Sequence, residues 1–187
     1  MRPEKGRFVL KKDLTKKIVG TACFAALSFV VSFLEIPIFP AAGFLKLDFS
    51  SVFVMLSGFT FGPVYGVFTT LIKELLCLTK SSTGGIGEIA NFCCTTVYII
   101  VPSVTYCYHK GLKTVIPTLI IGCFLQTGVA VLLNRFLLFP LFFGQTAAEA
   151  FSGVWYYVLA FNLIKTAAVS VITLLIYKRI STIIKKI

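Results

Sequence analysis

The sequence has 187 residues, 57% of them hydrophobic and 13% charged, with a formal net charge of +11. Its mean hydropathy is +0.93. A soluble domain has no use for so much apolar surface, so the chain reads as an all-α integral membrane protein with a single membrane domain.

Charge placement says more than charge total. Arg2, Lys5, Arg7, Lys11, Lys12, Lys16 and Lys17 precede the first apolar run. Lys110 and Lys113 lie mid-chain, and Lys178, Arg179, Lys185 and Lys186 follow the last run. The positive-inside rule puts all three groups on the cytoplasmic side. The cations flank apolar runs and carry no base-stacking aromatics, so they read as topology signals and anionic-lipid contacts, not as a nucleic-acid surface. The first apolar run lacks a small-x-small cleavage site, so a retained helix is expected there. The six cysteines form no C-x-x-C pair and the only histidine is His109, which argues against a metal centre or a disulfide framework.

About 20 residues of helix cross a bilayer core. In chain order, residues 18–36 form a first span. Residues 37–48 contain two prolines and a glycine and read as a loop or re-entrant piece. The charge-free run that follows is divided at Gly62-Pro63, giving short spans at 49–61 and 64–78. A polar, glycine-rich loop fills 79–88. A fourth span covers 89–108, with a turn at His109 to Lys113. A fifth covers 115–139, a connection runs from Pro140 to Ser152, and a sixth span covers 153–177. Trp155, Tyr156 and Tyr157 form an aromatic belt at its start. Six spans return both termini to the cytoplasm and leave 37–48 and 79–88 on the outer side.

Few groups could carry chemistry. Lys165 lies near the middle of the sixth span, where an ammonium costs at least about 2.5–3.5 kcal/mol, so it is expected to face a cavity and to have a partner. Asn162 is one turn away and Asn134 stands near the outer end of the fifth span; each could bind a ligand or bond a neighbouring helix. Lys73-Glu74 is expected to compensate itself. Gly84, Gly85 and Gly87 match no phosphate-binding motif; they would let backbone approach a flat ligand, with Thr83 free to cap the next helix. Ala22 and Ala26 form a small-x-x-x-small pair that admits a close helix, from this chain or another. No nucleophile elbow, zinc motif or ATP-binding motif is present, so the chain is not expected to be an enzyme, and active transport would need power from another subunit.

Five segments in order, FLKLDFS (Phe44 to Ser50), FGPVYG (Phe61 to Gly66), LIKELL (Leu71 to Leu76), STGGIGEIANF (Ser82 to Phe92) and FNLIK (Phe161 to Lys165), resemble the riboflavin-specific S components of energy-coupling factor (ECF) transporters. The resemblance spans nearly the whole chain. It implies a six-transmembrane-helix bundle of the ECF S-component type in the bacterial plasma membrane. The bundle would capture riboflavin as transported ligand, with no cofactor, and leave tolerance of flavin mononucleotide open. It would work with a transmembrane coupling subunit and two ATPase subunits. Ala22 and Ala26 match the family's coupling-subunit contact, Asn134 and Lys165 its flavin-ring contacts, and 37–48 its lid. Lys46, Gly85, Glu88, Asn91 and Asn162 complete the expected substrate-binding set. An S component for folate, thiamine or pantothenate is the nearest alternative, and an integral membrane enzyme a more distant one.

Overall fold

The computed structural model describes residues 4–109 and 111–184, with side chains except at 4–12, 41, 112 and 178–184. The cation groups at Arg2 to Lys12, Lys110 and Lys178 to Lys186 therefore lie outside the described side chains.

The protein is almost wholly helical. Helix α1 spans Glu4–Val31, α2 Ser51–Phe61, α3 Pro63–Cys77, α4 Ile86–Tyr108, α5 Leu112–Leu133, α6 Phe139–Phe143 and α7 Ala147–Ile184. Among the described residues, three stretches are long and apolar enough to cross a membrane: Asp13–Val31, Ile86–Tyr108 and the 65-residue Lys113–Tyr177, which contains α5, α6 and the first part of α7.

Helix α2 sits at the centre. Only 11 residues long, it buries eight of them, from Ser51 to Phe59, and it touches α1, α3, α4 and α7. A helix apolar on every face belongs inside a bundle, and one shielded by neighbours need not match the bilayer thickness by itself. Val54, Met55, Ile99, Leu119 and Val169 build the core around it, drawn from α2, α4, α5 and α7.

The chain reverses between α2 and α3 at Gly62, whose φ of 102° favours glycine, and Pro63 starts α3 where its missing N–H costs nothing. The two arms then run against each other closely. A Cβ on Gly66 would stand 3.1 Å from the Gly58 Cα.

Two connections differ from the sequence-based expectation. Residues 37–48 hold a miniature antiparallel hairpin in which strand β1 (Ile36–Pro37) pairs with β2 (Lys46–Leu47) around a 3-10 turn at Pro40–Ala42. The hairpin folds back onto the bundle. Ala42, Leu45 and Leu47 are buried against Val158 and Phe161 of α7, and the Phe39 ring lies 5.3 Å from Tyr157. The expected connection at Pro140 to Ser152 is largely helix. Pro140 falls in the first turn of α6, where proline is tolerated, and the non-α link shrinks to Gly144–Thr146, entered through Gly144 at φ 56°. Upstream of Pro140, Asn134–Leu138 forms a π-helical turn. A proline ring clashes with the carbonyl four residues back, here Phe136, and the widened turn accommodates it.

Candidate functional site

One end of the bundle opens into a cavity of about 580 Å³, within the range that small-molecule sites occupy. It forms between the loop after α1, the segment leading into α2, the end of α3 and the loop after it, the start of α4, the end of α5 with its π turn, α6 and the first half of α7. The hairpin at 36–47 roofs it through Phe44, Leu45 and Lys46. The Phe44 ring also meets Phe139 of α6 at 6.1 Å.

The floor carries four buried charges: Lys73, Glu74, Asp48 and Lys165 are 4%, 5%, 8% and 7% exposed. Burial this deep is tolerated only for paired ions. Lys165 Nζ donates to Asp48 Oδ2 at 3.0 Å. The other Asp48 oxygen accepts from the Ser50 N–H at 2.9 Å and from the Ser50 hydroxyl. Burial pushes the Asp48 carboxyl up, but Lys165, then Lys73 and the Ser50 hydrogen bond outweigh it, so it sits below the usual carboxylate range. Lys73 Nζ donates to Glu74 Oε1 at 2.8 Å, and Asn91 Nδ2 donates to the same oxygen at 2.6 Å.

The rim is ionic as well, but wetter. Glu35 accepts from Lys46 at 2.9 Å and from Lys80 at 2.8 Å. Lys80 also donates to the Ser32 carbonyl and stands 4.7 Å from the Phe33 ring centroid. Glu88 accepts from the Ser81 hydroxyl at 2.8 Å and the Thr83 hydroxyl at 3.2 Å.

The walls supply amides and rings. Asn134 opens the π turn and donates Nδ2 to the Ala130 carbonyl at 2.8 Å. Asn162 on α7 does the same to the Val158 carbonyl at 2.8 Å. Each amide is thereby oriented with one N–H occupied, leaving its oxygen as an acceptor. Phe139, Phe142, Phe143 and Phe161 give the cavity its apolar faces. Tyr98 ties the floor together from below, donating to the Thr166 carbonyl at 3.1 Å.

Of the residues expected from the sequence, Lys46, Glu88, Asn91, Asn134, Asn162 and Lys165 all line this cavity. Gly85 is not among the lining residues. Gly84 and Gly85 hold φ of 63° and 93° and turn the chain into α4, while the Thr83 hydroxyl accepts from the Gly87 N–H at 3.1 Å. The glycines here serve the turn, and it is Gly87 that faces the cavity. Lys73 and Glu74 do pair with each other, as expected, yet both also line the cavity. Asp48 was not among the expected site residues. An acid beside an apolar helix in a chain with one mid-span lysine was the available signal. On α1, Ala22 and Ala26 are exposed while Thr21 and Ala25 turn inward.

A roofed, mainly apolar cavity with a few oriented polar groups, at one end of an apolar helical bundle, has the form of a small-molecule site in a membrane protein. The chain belongs to the family of substrate-specific components of ECF transporters, whose family model matches residues 16–177. It is therefore a multi-pass plasma-membrane transport component and not an enzyme. It is 31% identical over 187 residues to the riboflavin transporter RibU of Staphylococcus aureus, covering 97% of this chain and 99% of the relative. It is 27% identical to the riboflavin transporter FmnP of Bacillus subtilis over 87% of this chain and 90% of that one. Its fold matches a solved S component of a bacterial ECF transporter with a TM-score of 0.81, at 31% identity, over 92% of this chain and 99% of that chain.

Proposed function

We propose that this protein captures riboflavin at the outer membrane face and delivers it inward as the specificity subunit of an ATP-driven ECF transporter. The observation that carries the ligand choice is charge balance. Four acidic and four basic residues line the cavity, and each lysine already holds a carboxylate within 3.0 Å. A neutral ligand with many hydroxyls fits such a site. Folate or pantothenate would bring carboxylates that find no free cation.

The isoalloxazine ring has apolar faces and an edge that alternates acceptors with one N–H. Phenylalanine rings answer the faces. The Asn134 oxygen answers the N–H, and Lys165 donates to the ring acceptors. Asn162 stands one turn from Lys165 on the same face of α7. The ribityl chain reaches towards Lys46, Glu88 and Asn91 at the roof and rim. Riboflavin-named relatives aligned over nearly the full chain support the same reading.

In the membrane the chain makes six crossings, α2 and α3 serving as two short ones, with both termini cytoplasmic and the cavity facing out. The exposed Ala22–Ala26 face of α1 receives the coupling subunit, which links it to two ATPases. Removing the ring contacts tests the ligand assignment. Lys165→Ala and Asn134→Ala each weaken riboflavin binding by roughly tenfold or more while the protein still purifies as a folded species. Unchanged binding in both contradicts the assignment.

A further inference from the structure

We infer that Asp48 is the positioning residue for Lys165, setting where the ammonium stands in the cavity without itself being required as a ligand contact. The inference rests on riboflavin being the ligand.

The two Asp48 oxygens have separate tasks. Oδ1 takes the N–H and hydroxyl of Ser50, which fixes the carboxylate to the chain just before α2 begins. Oδ2 is left pointing across the cavity floor, where it meets Lys165 Nζ at 3.0 Å. A carboxylate locked on one side is a fixed receptor for a cation on the other. Lysine needs such a receptor: its stem has four rotatable bonds, and a buried ammonium without a partner swings to the nearest polar surface. The bond to Asp48 uses one of three donors and leaves the other two for ligand acceptors. Glu74 on the same floor already accepts from Lys73 and Asn91, and Asp48 is the carboxylate that holds Lys165.

A cap-like role for Asp48 at the start of α2 is the competing reading, since Oδ1 serves Ser50. The two readings separate in a double-mutant cycle on riboflavin binding, using Asp48→Asn, Lys165→Met and both together. If Asp48 acts through Lys165, each single change weakens binding at least roughly tenfold. The double variant then binds within about threefold of Lys165→Met alone, because there is no ammonium left to place. Losses that multiply in the double variant, or an Asp48→Asn protein that binds like the parent, overturn the inference.

Asp48→Asn strands a buried lysine and can fail to fold. In that case a double variant that folds and melts with Lys165→Met supports the inference. A double variant that also misfolds, while Lys165→Met folds, overturns it, since Asp48 is then needed for Ser50. A parent protein that binds no riboflavin defeats the proposed function instead. The cycle is then read on melting temperature in the ligand-free protein, where a double variant more stable than Asp48→Asn supports the pairing and additive losses overturn it.

Discussion

Asn91 Nδ2 lies 2.6 Å from Glu74 Oε1, so the first turns of α4 bond to an acid on α3 that is already holding Lys73. Two neighbours in sequence neutralise each other, and a third residue 17 positions on is oriented by the result. The bond occupies one Asn91 N–H and leaves the amide oxygen as an acceptor.

Removing Glu74 should therefore be costly. Glu74→Leu strands the Lys73 ammonium at 4% exposure and should destabilise the fold by about 3–5 kcal/mol. The double change Lys73→Met with Glu74→Leu should recover most of that loss, because well-packed apolar groups replace a buried pair at little cost. Thermal unfolding of the detergent-solubilised proteins measures both. Equal melting of the single and double variants would contradict a pairing role.

At the rim the same chemistry is worth much less. The side chains of Lys46 and Glu35 are 50% and 31% exposed, and exposed pairs contribute about 0–1 kcal/mol. Glu35→Gln should leave the melting temperature nearly unchanged. It should nonetheless release the roof, since Glu35 ties the hairpin, through Lys46, to the loop before α4, through Lys80. Riboflavin dissociation followed by stopped flow should speed up a few-fold, roughly in line with the loss of a weak latch. Raised salt should do the same to the parent protein and little to the variant.

Acid should affect the site late. The Asp48 carboxyl is held below its ordinary value. A depressed carboxylate contributes its full stability above the unfolded value, about 3.9, and loses it as pH falls from there towards the folded value. Riboflavin affinity should thus be level from pH 8 down to about pH 5. A fall in affinity across that window, measured by titration at fixed ionic strength, would show that Asp48 is not held ionised.

Assembly should depend on a different face. Ala22→Trp or Ala26→Trp should leave riboflavin binding as it is, because neither residue lines the cavity, and should reduce co-purification with the coupling subunit. Normal co-purification of both variants would move the contact elsewhere.

Much of this was legible in the sequence. Gly62-Pro63 marks the break between α2 and α3 because glycine supplies the turn dihedral and proline the helix start. Lys165 was conspicuous because an ammonium in the middle of an apolar run demands a partner. The partner itself was not legible, since Asp48 lies 117 residues away and sequence spacing carries no record of such a contact. The turn at Gly85 was not legible, because a flexible glycine suits a ligand approach and a tight turn equally, and its φ of 93° is what shows the turn. Pro140 looked like a helix end, yet the π turn at Asn134–Leu138 widens ahead of its ring and the chain stays helical through it. The hairpin at 36–47 was hidden by strands of two residues each, too short to show an alternating pattern.

Riboflavin titration of the purified parent protein, followed by the emission of its single tryptophan, Trp155, and repeated with folate, thiamine and pantothenate, is the most direct test. Saturable quenching by riboflavin at one ligand per chain, undisturbed by excess of the other three vitamins, is the expected result. No response to riboflavin together with saturable binding of one of the others would contradict the ligand and the reading of the cavity that led to it.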